Sequence, residues 1–148
     1  MALLTSCNQE KEQRELLRDE VMDLHDEAMP MISDLRAVRK KLEARYRYLL
    51  PDSASLDSAA LGRLQEYGRT FTATAGAEEA MMRWMRSFDP TIMEDGTPHE
   101  DVMTYLNKQK EHMESVKEYM ETSLAGAEKA LTFEGPESDA TLPKEEEQ

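Results

Sequence analysis

Met22, His25, Met29 and Ile32 stand three, four and three residues apart, the spacing that puts side chains on one face of a helix. A second cluster, Met81, Met82, Arg83, Trp84 and Met85, is continuous in sequence. Thioether and imidazole donors together suit the soft ion Cu(I). Met22, His25, Met29, Met81, Met82 and Met85 are therefore candidate ligands. Reflecting the chain about a turn near Asp52 brings His25 level with residue 79 and Met22 level with Met82. Reflecting it about a loop near Met93 brings Met82 level with residue 104, beside Met103. The same residues have a plainer use, because methionine is a flexible core filler. His25 would then satisfy itself through Asp26 or Glu27. On sequence alone packing is the stronger reading, with Cu(I) binding as the alternative. Trp84 reads as an apolar plug with its N–H at the rim.

Other chemistries fail on spacing. A ferritin-like di-iron site needs Glu-x-x-His, and the residues three places before His25, His99 and His112 are Met22, Gly96 and Gln109. His99-Glu100-Asp101-Val102-Met103 approaches the zincin His-Glu-x-x-His, but Met103 takes the second histidine position. Glycine-rich phosphate loops do not occur. Cys7 is the single cysteine, so no intrachain disulfide forms, and a cysteine nucleophile would need an activating base. These observations point away from an enzyme. His99, in a first helical turn, and His112, beside a core position, take no role.

The elements that must hold the Met/His layer read as helices. Ala, Leu, Met, Glu, Lys and Arg abound, and a third of the 148 residues are charged. From about Gln9 to Leu50, apolar residues fall at Leu17, Val21, Leu24, Ala28, Met31, Leu35, Val38 and Leu42, a heptad seam. Pro30 lies inside it, and the seam resumes in phase, which predicts one helix kinked near Pro30 and stopped at Pro51. Residues 51–55 predict a tight turn, with Ser53 or Ser55 as N-cap. A second helix is expected from about Leu56 to Phe88, with Leu61, Leu64, Tyr67, Phe71, Ala75, Met82 and Met85 in the core. Gly62, Gly68 and Gly76 either weaken it or allow close helix approach. After a loop at 89–97, Thr97-Pro98-His99-Glu100 is a capping box that starts a third helix running to about Leu131. Its seam is Val102, Leu106, Gln109, Met113, Val116, Met120, Ser123, Ala127 and Ala130 or Leu131. The expected fold is all-α, an elongated antiparallel bundle of three long helices over residues 9–133. Residues 134–148 hold six acidic residues and one lysine, and are expected to form a disordered acidic tail.

The net charge of −13 argues against nucleic acid as a partner. It also disfavours docking of the folded body on anionic lipid by charge alone. The first residues point to another route to a membrane. Leu4-Thr5-Ser6-Cys7 resembles a bacterial lipobox, and the polar stretch from Asn8 to Glu12 suits a tether. Residues 1–8 are then a residual leader, with Cys7 as the lipidated residue. An export signal ordinarily has a basic start and roughly 7–15 apolar residues before its cleavage site. Met1 to Ser6 supply neither, so the start is trimmed or the match is chance.

Val21-Met22-Asp23-Leu24-His25-Asp26-Glu27-Ala28-Met29-Pro30-Met31, Ala80 to Met85, and the stretch from Tyr105 through Val116 to Leu131 resemble small helical lipoproteins of Bacteroidota-type bacteria. Those are sometimes labelled viral A-type inclusion protein-like. The likeness covers roughly residues 4–131 and implies a helical bundle anchored to a membrane outside the cytoplasm. It implies no biochemical activity. The expected function is a non-enzymatic cell-envelope lipoprotein, a structural or protein-interaction module with an unknown protein partner. The alternative is a periplasmic Cu(I)-binding protein.

Overall fold

The computed structural model describes residues 3–143, with side chains from Asn8 onward. Helix accounts for 83% of the chain and no strand occurs among the described residues, so the protein is all-α. There are three helices, the first of them bent. Its two segments are α1 (Leu3–Ala28) and α2 (Met31–Leu49). The other two are α3 (Ser58–Ser87) and α4 (His99–Leu131). No helix among the described residues is long and apolar enough to cross a membrane.

The bend falls at Pro30, as the sequence predicts. Met29 N still donates to His25 O at 2.9 Å, and Ser33 N donates to Pro30 O at 3.2 Å. Pro30 has no N–H to donate to Asp26, and Ser33 pairs three rather than four residues back, so the helix is interrupted over two residues and bends there. Leu17, Val21, Ala28, Leu35, Val38 and Leu42 are buried as expected. At the bend itself Ile32 is buried in place of Met31.

Two links differ from their expected form. After α2 the chain makes a 3₁₀ turn over Leu50–Ser55. The cap of α3 is then Asp57, not Ser53 or Ser55: its Oδ1 accepts from Ala60 N at 2.8 Å. Between α3 and α4, Pro90–Met93 form a second 3₁₀ turn. Asp89 caps it, accepting from Thr91 N at 2.9 Å and from Thr91 Oγ1 at 2.6 Å. Gly96 then takes φ +99°, a left-handed conformation that a side chain would strain.

The chain divides into two compact units, Met1–Met29 with Ala80–Glu118, and Pro30–Glu79 with Tyr119–Gln148. In the first, Leu17, Val102 and Leu106 are buried, with Phe88, Ile92, Met93 and Tyr105 packed on them. In the second, Val38, Leu42, Leu49, Leu64, Tyr67, Ala127 and Ala130 make the core, covered by Tyr46, Phe71, Leu124 and Phe133. Leu42 is fully buried, and burying such a side chain contributes about 1.5–3 kcal/mol.

The buried face of α3 is Ala60, Leu64, Tyr67, Thr70, Thr74, Ala77, Met81 and Trp84. Beyond Tyr67 this lies one residue away from the apolar positions Phe71, Ala75, Met82 and Met85, about 100° around the helix. Two buried threonines make the difference. Thr70 Oγ1 donates to Glu66 O at 2.6 Å, and Thr74 Oγ1 to Phe71 O at 2.8 Å. A hydroxyl satisfied within its own helix enters a core without the cost of an unpaired polar group.

The acidic segment after 133 also departs from expectation. It is described as far as 143, and it folds onto the second unit rather than standing free. Glu137 is fully buried. Arg63 Nε and the Tyr67 hydroxyl both donate to its Oε1, the latter at 3.2 Å. Arg45 holds the approach, donating to the carbonyls of Leu131 at 2.9 Å, Phe133 at 3.1 Å and Ser138 at 3.3 Å. Hydrophobicity predicts no order here, because ion pairing and hydrogen bonding do the anchoring.

Candidate functional site

The candidate residues that come together lie in the first unit. α1 supplies Met22 and His25, one turn apart. α3 supplies Trp84 and Met85, Phe88 follows directly after its last residue, and the 3₁₀ turn supplies Met93. Together they line a groove of about 440 Å³, with Arg18, Pro90 and Ile92 completing its wall.

Aromatic rings order the floor. The His25 ring centre lies 5.6 Å from that of Trp84, Trp84 lies 5.2 Å from Phe88, and Phe88 lies 6.0 Å from Tyr105. All three pairs are tilted, as aromatic quadrupoles prefer. The ladder ends in a hydrogen bond, with Asp89 N donating to the Tyr105 hydroxyl at 2.6 Å. That bond ties the loop carrying Met93 to α4.

His25 is mostly covered, its side chain 16% exposed, and its Nδ1 lies 2.8 Å from Asp26 Oδ1. A carboxylate can only accept, so in the neutral ring Nδ1 carries the proton and Nε2 keeps its lone pair. The contact with Asp26 is the one the sequence suggests for a self-satisfied histidine. It is also the contact that orients histidine ligands in metal sites.

Trp84 is 2% exposed. Its N–H does not reach the rim as expected: Nε1 is buried without a partner among the described residues. An orphaned donor of this kind costs about 1–3 kcal/mol. A phenylalanine would fill much of the same space without it, so the indole is costly here.

Of the six candidate ligands, Met22, His25 and Met85 line the groove. Met81 is fully buried in the core of the first unit, and Met29 and Met82 are half-buried. None of those three lines it. Met93, which the groove adds, lies on a 3₁₀ turn and so outside any helical periodicity. The register also shifts, since His25 meets Trp84 rather than residue 79. The reflection centre moves from 52 to 54.5, because α3 begins at Ser58 rather than near Leu56.

Among the described residues no three His, Cys, Asp or Glu are grouped to hold a metal ion. Any metal here would rest on thioethers. His99 Nδ1 accepts from Arg14 Nε at 3.1 Å, and His112 is exposed beside buried Met113. The lipidation candidate, Cys7, lies outside the residues whose side chains are described. No protein-family model, no curated protein and no solved structure matches the chain.

Proposed function

We propose that this protein is a non-enzymatic lipoprotein of the cell envelope, anchored through Cys7 and acting as a helical binding module outside the cytoplasm. The carrying observation for the non-enzymatic reading is the lining of the groove. It offers thioethers, rings, the permanently charged Arg18 guanidinium and one imidazole, and Asp26 already occupies one nitrogen of that imidazole. Acid–base or nucleophilic work needs a second reactive group within reach of His25. Thioethers and hydrocarbon rings bind ligands but neither give nor take protons.

The helices form an antiparallel bundle in this reading. Pairing within the second unit supports it: Arg36 and Arg39 pair with Glu78, while Arg45, further along α2, lies over Tyr67, earlier in α3. The address is supported by the lipobox-like Leu4-Thr5-Ser6-Cys7 and by the likeness of the Met22–Met31 and Ala80–Met85 stretches to Bacteroidota-type lipoproteins. The charge of −13 supports a protein rather than a nucleic acid as macromolecular partner.

The test is labelled palmitate fed to cells making the full-length precursor. Label on the wild type and none on Cys7→Ala is expected, with the protein in the membrane fraction. Equal label on both, or none on either, rejects the envelope reading.

A further inference from the structure

We propose that the groove of the first unit is a Cu(I) site, with Met22, His25 and Met85 as ligands, Met93 as a fourth donor, and the face of Trp84 against the ion. This names the ligand of the binding module and so deepens that reading, but its chemistry stands apart from the lipid anchor.

The donor set selects the ion. Two helical thioethers and one imidazole are soft or borderline donors, no carboxylate lines the groove, and the Arg18 guanidinium in its wall is paired with Asp19 Oδ1 at 2.6 Å. Such a site disfavours Mg²⁺ and Ca²⁺, which take oxygen ligands. It also lacks the thiolates and multiple imidazoles on which Zn²⁺ sites are built. A soft monovalent cation is what remains, and thioethers select Cu(I).

The histidine is prepared for the task. Asp26 holds the Nδ1 proton at 2.8 Å, which leaves Nε2 unprotonated and fixes the ring. Met22 stands one turn before His25 on the same face of α1. Coordination through Nε2 and sulfur releases no proton and changes no oxidation state.

Trp84 supplies the most specific sign. Its N–H is buried without a partner among the described residues, so no protein acceptor accounts for the indole. Among the aromatic side chains tryptophan offers a cation the strongest π-face, effective within roughly 6 Å of the ring centre. The His25 ring centre is 5.6 Å from that of Trp84. Phe88 backs the indole at 5.2 Å, which keeps its plane fixed as the ion enters. Met93 also lines the groove, on the 3₁₀ turn that follows the Asp89–Tyr105 bond, which makes its sulfur the available fourth donor.

The experiment is anaerobic titration of the purified protein with Cu(I) against the competing chelator bicinchoninate, repeated with redox-inert Ag(I). Trp84 is the only tryptophan in the chain, so its emission reports this groove alone. One equivalent of Cu(I) is expected to quench it, with saturation at one ion per chain. Met22→Leu and Met85→Leu nearly conserve volume, and each is expected to weaken binding by at least about tenfold. Asp26→Asn, which removes the orienting carboxylate, is expected to weaken it by about 10–100-fold. Met29→Leu, outside the groove, is expected to bind as the wild type does.

Unchanged emission after one equivalent overturns the proposal. So does wild-type affinity in the Met22→Leu, Met85→Leu double variant, or an equal loss from Met29→Leu. Any of these three results leaves methionine–aromatic packing as the groove's whole purpose. Failure of the palmitate experiment with success here removes the address and keeps the site, and the reverse outcome removes the site alone.

Discussion

Arg63 on α3 donates through Nε to Oε1 of Glu137, a residue 74 places later in the chain and fully buried. Burial pushes the Glu137 carboxyl up, but the hydrogen bond from Arg63 leads a set of opposing effects. A backbone N–H, the Arg63 charge and the Tyr67 hydroxyl add to it, and the pKa falls below its ordinary value of 4.5. A carboxylate with a depressed folded pKa stabilises the fold above its unfolded pKa. That contribution is lost as pH falls through the folded value. Glu78, held by Arg36 and Arg39, is shifted down against its burial in the same way. Glu137→Gln is therefore expected to cost about 1–3 kcal/mol at neutral pH. The gap from the wild type should close as pH drops below 4.5. Urea midpoints measured from pH 7 to pH 3 check this, and a gap constant across that range contradicts it.

Arg45 supports the same segment differently, by covering carbonyls. The last turn of an α-helix leaves four carbonyls without partners inside the helix. The guanidinium takes up that of Leu131, then those of Phe133 and Ser138. Arg45→Met keeps an unbranched side chain but removes all three hydrogen bonds, together with the guanidinium that lies 5.8 Å from the Tyr67 ring centre. Protease cleavage within residues 132–143 is expected to become faster, while the helices resist as before. Equal cleavage rates for wild type and variant would mean that Glu137 alone holds the segment.

Glycines of opposite kind give a stability contrast. An added methyl at Gly62 meets nothing within 4 Å, so Gly62→Ala should stabilise α3 by about 1 kcal/mol. At Gly135 the same methyl runs into the Glu137 carboxylate and the Arg63 guanidinium. Gly135→Ala must push the ion pair apart and is expected to destabilise by about 1–3 kcal/mol. Thermal melts separate the two by sign. Gly68 and Gly76 are intermediate, since each faces a tyrosine ring, Tyr46 and Tyr119 respectively. Close approach is thus the use of two of these helix glycines and not of the third.

How far the sequence could be read depended on whether the controlling contact was local. The α4 seam was fully legible: Val102, Leu106, Gln109, Met113, Val116, Met120, Ser123, Ala127 and Ala130 are all buried. Its two polar members are isolated among apolar neighbours at heptad spacing. On α3, Thr70 and Thr74 occupy core positions by bonding their own backbone, and an apolar count cannot see that. Glu137 was invisible because its partner is distant in sequence and its burial depends on charge. In the groove, Met22 and His25 were legible because one helix presents both. Met93 was not, since a 3₁₀ turn carries it, and the burial of the Trp84 N–H depends on neighbours that helical spacing does not show.

The last prediction concerns Gln109, whose Oε1 is buried without a hydrogen-bond partner. Trp84 stands four residues before Phe88 on α3, and Gln109 stands four after Tyr105 on α4. In the antiparallel arrangement proposed above, the Phe88–Tyr105 contact would put an orphaned donor, Trp84 Nε1, and an orphaned acceptor in one layer of the first unit. Each is a cost of about 1–3 kcal/mol that an apolar group would not incur. Gln109→Leu fills a similar volume without the acceptor and should raise the unfolding free energy by about 1 kcal/mol. Gln109→Ala removes the acceptor but opens a cavity, and should lower it. Urea unfolding of the two variants distinguishes side-chain polarity from volume. If Gln109→Leu instead destabilises by a similar amount, a water shared with Trp84 satisfies both groups. Repeating Gln109→Leu in a Trp84→Phe background decides that case, because without the indole N–H a shared water loses one partner and the penalty should shrink.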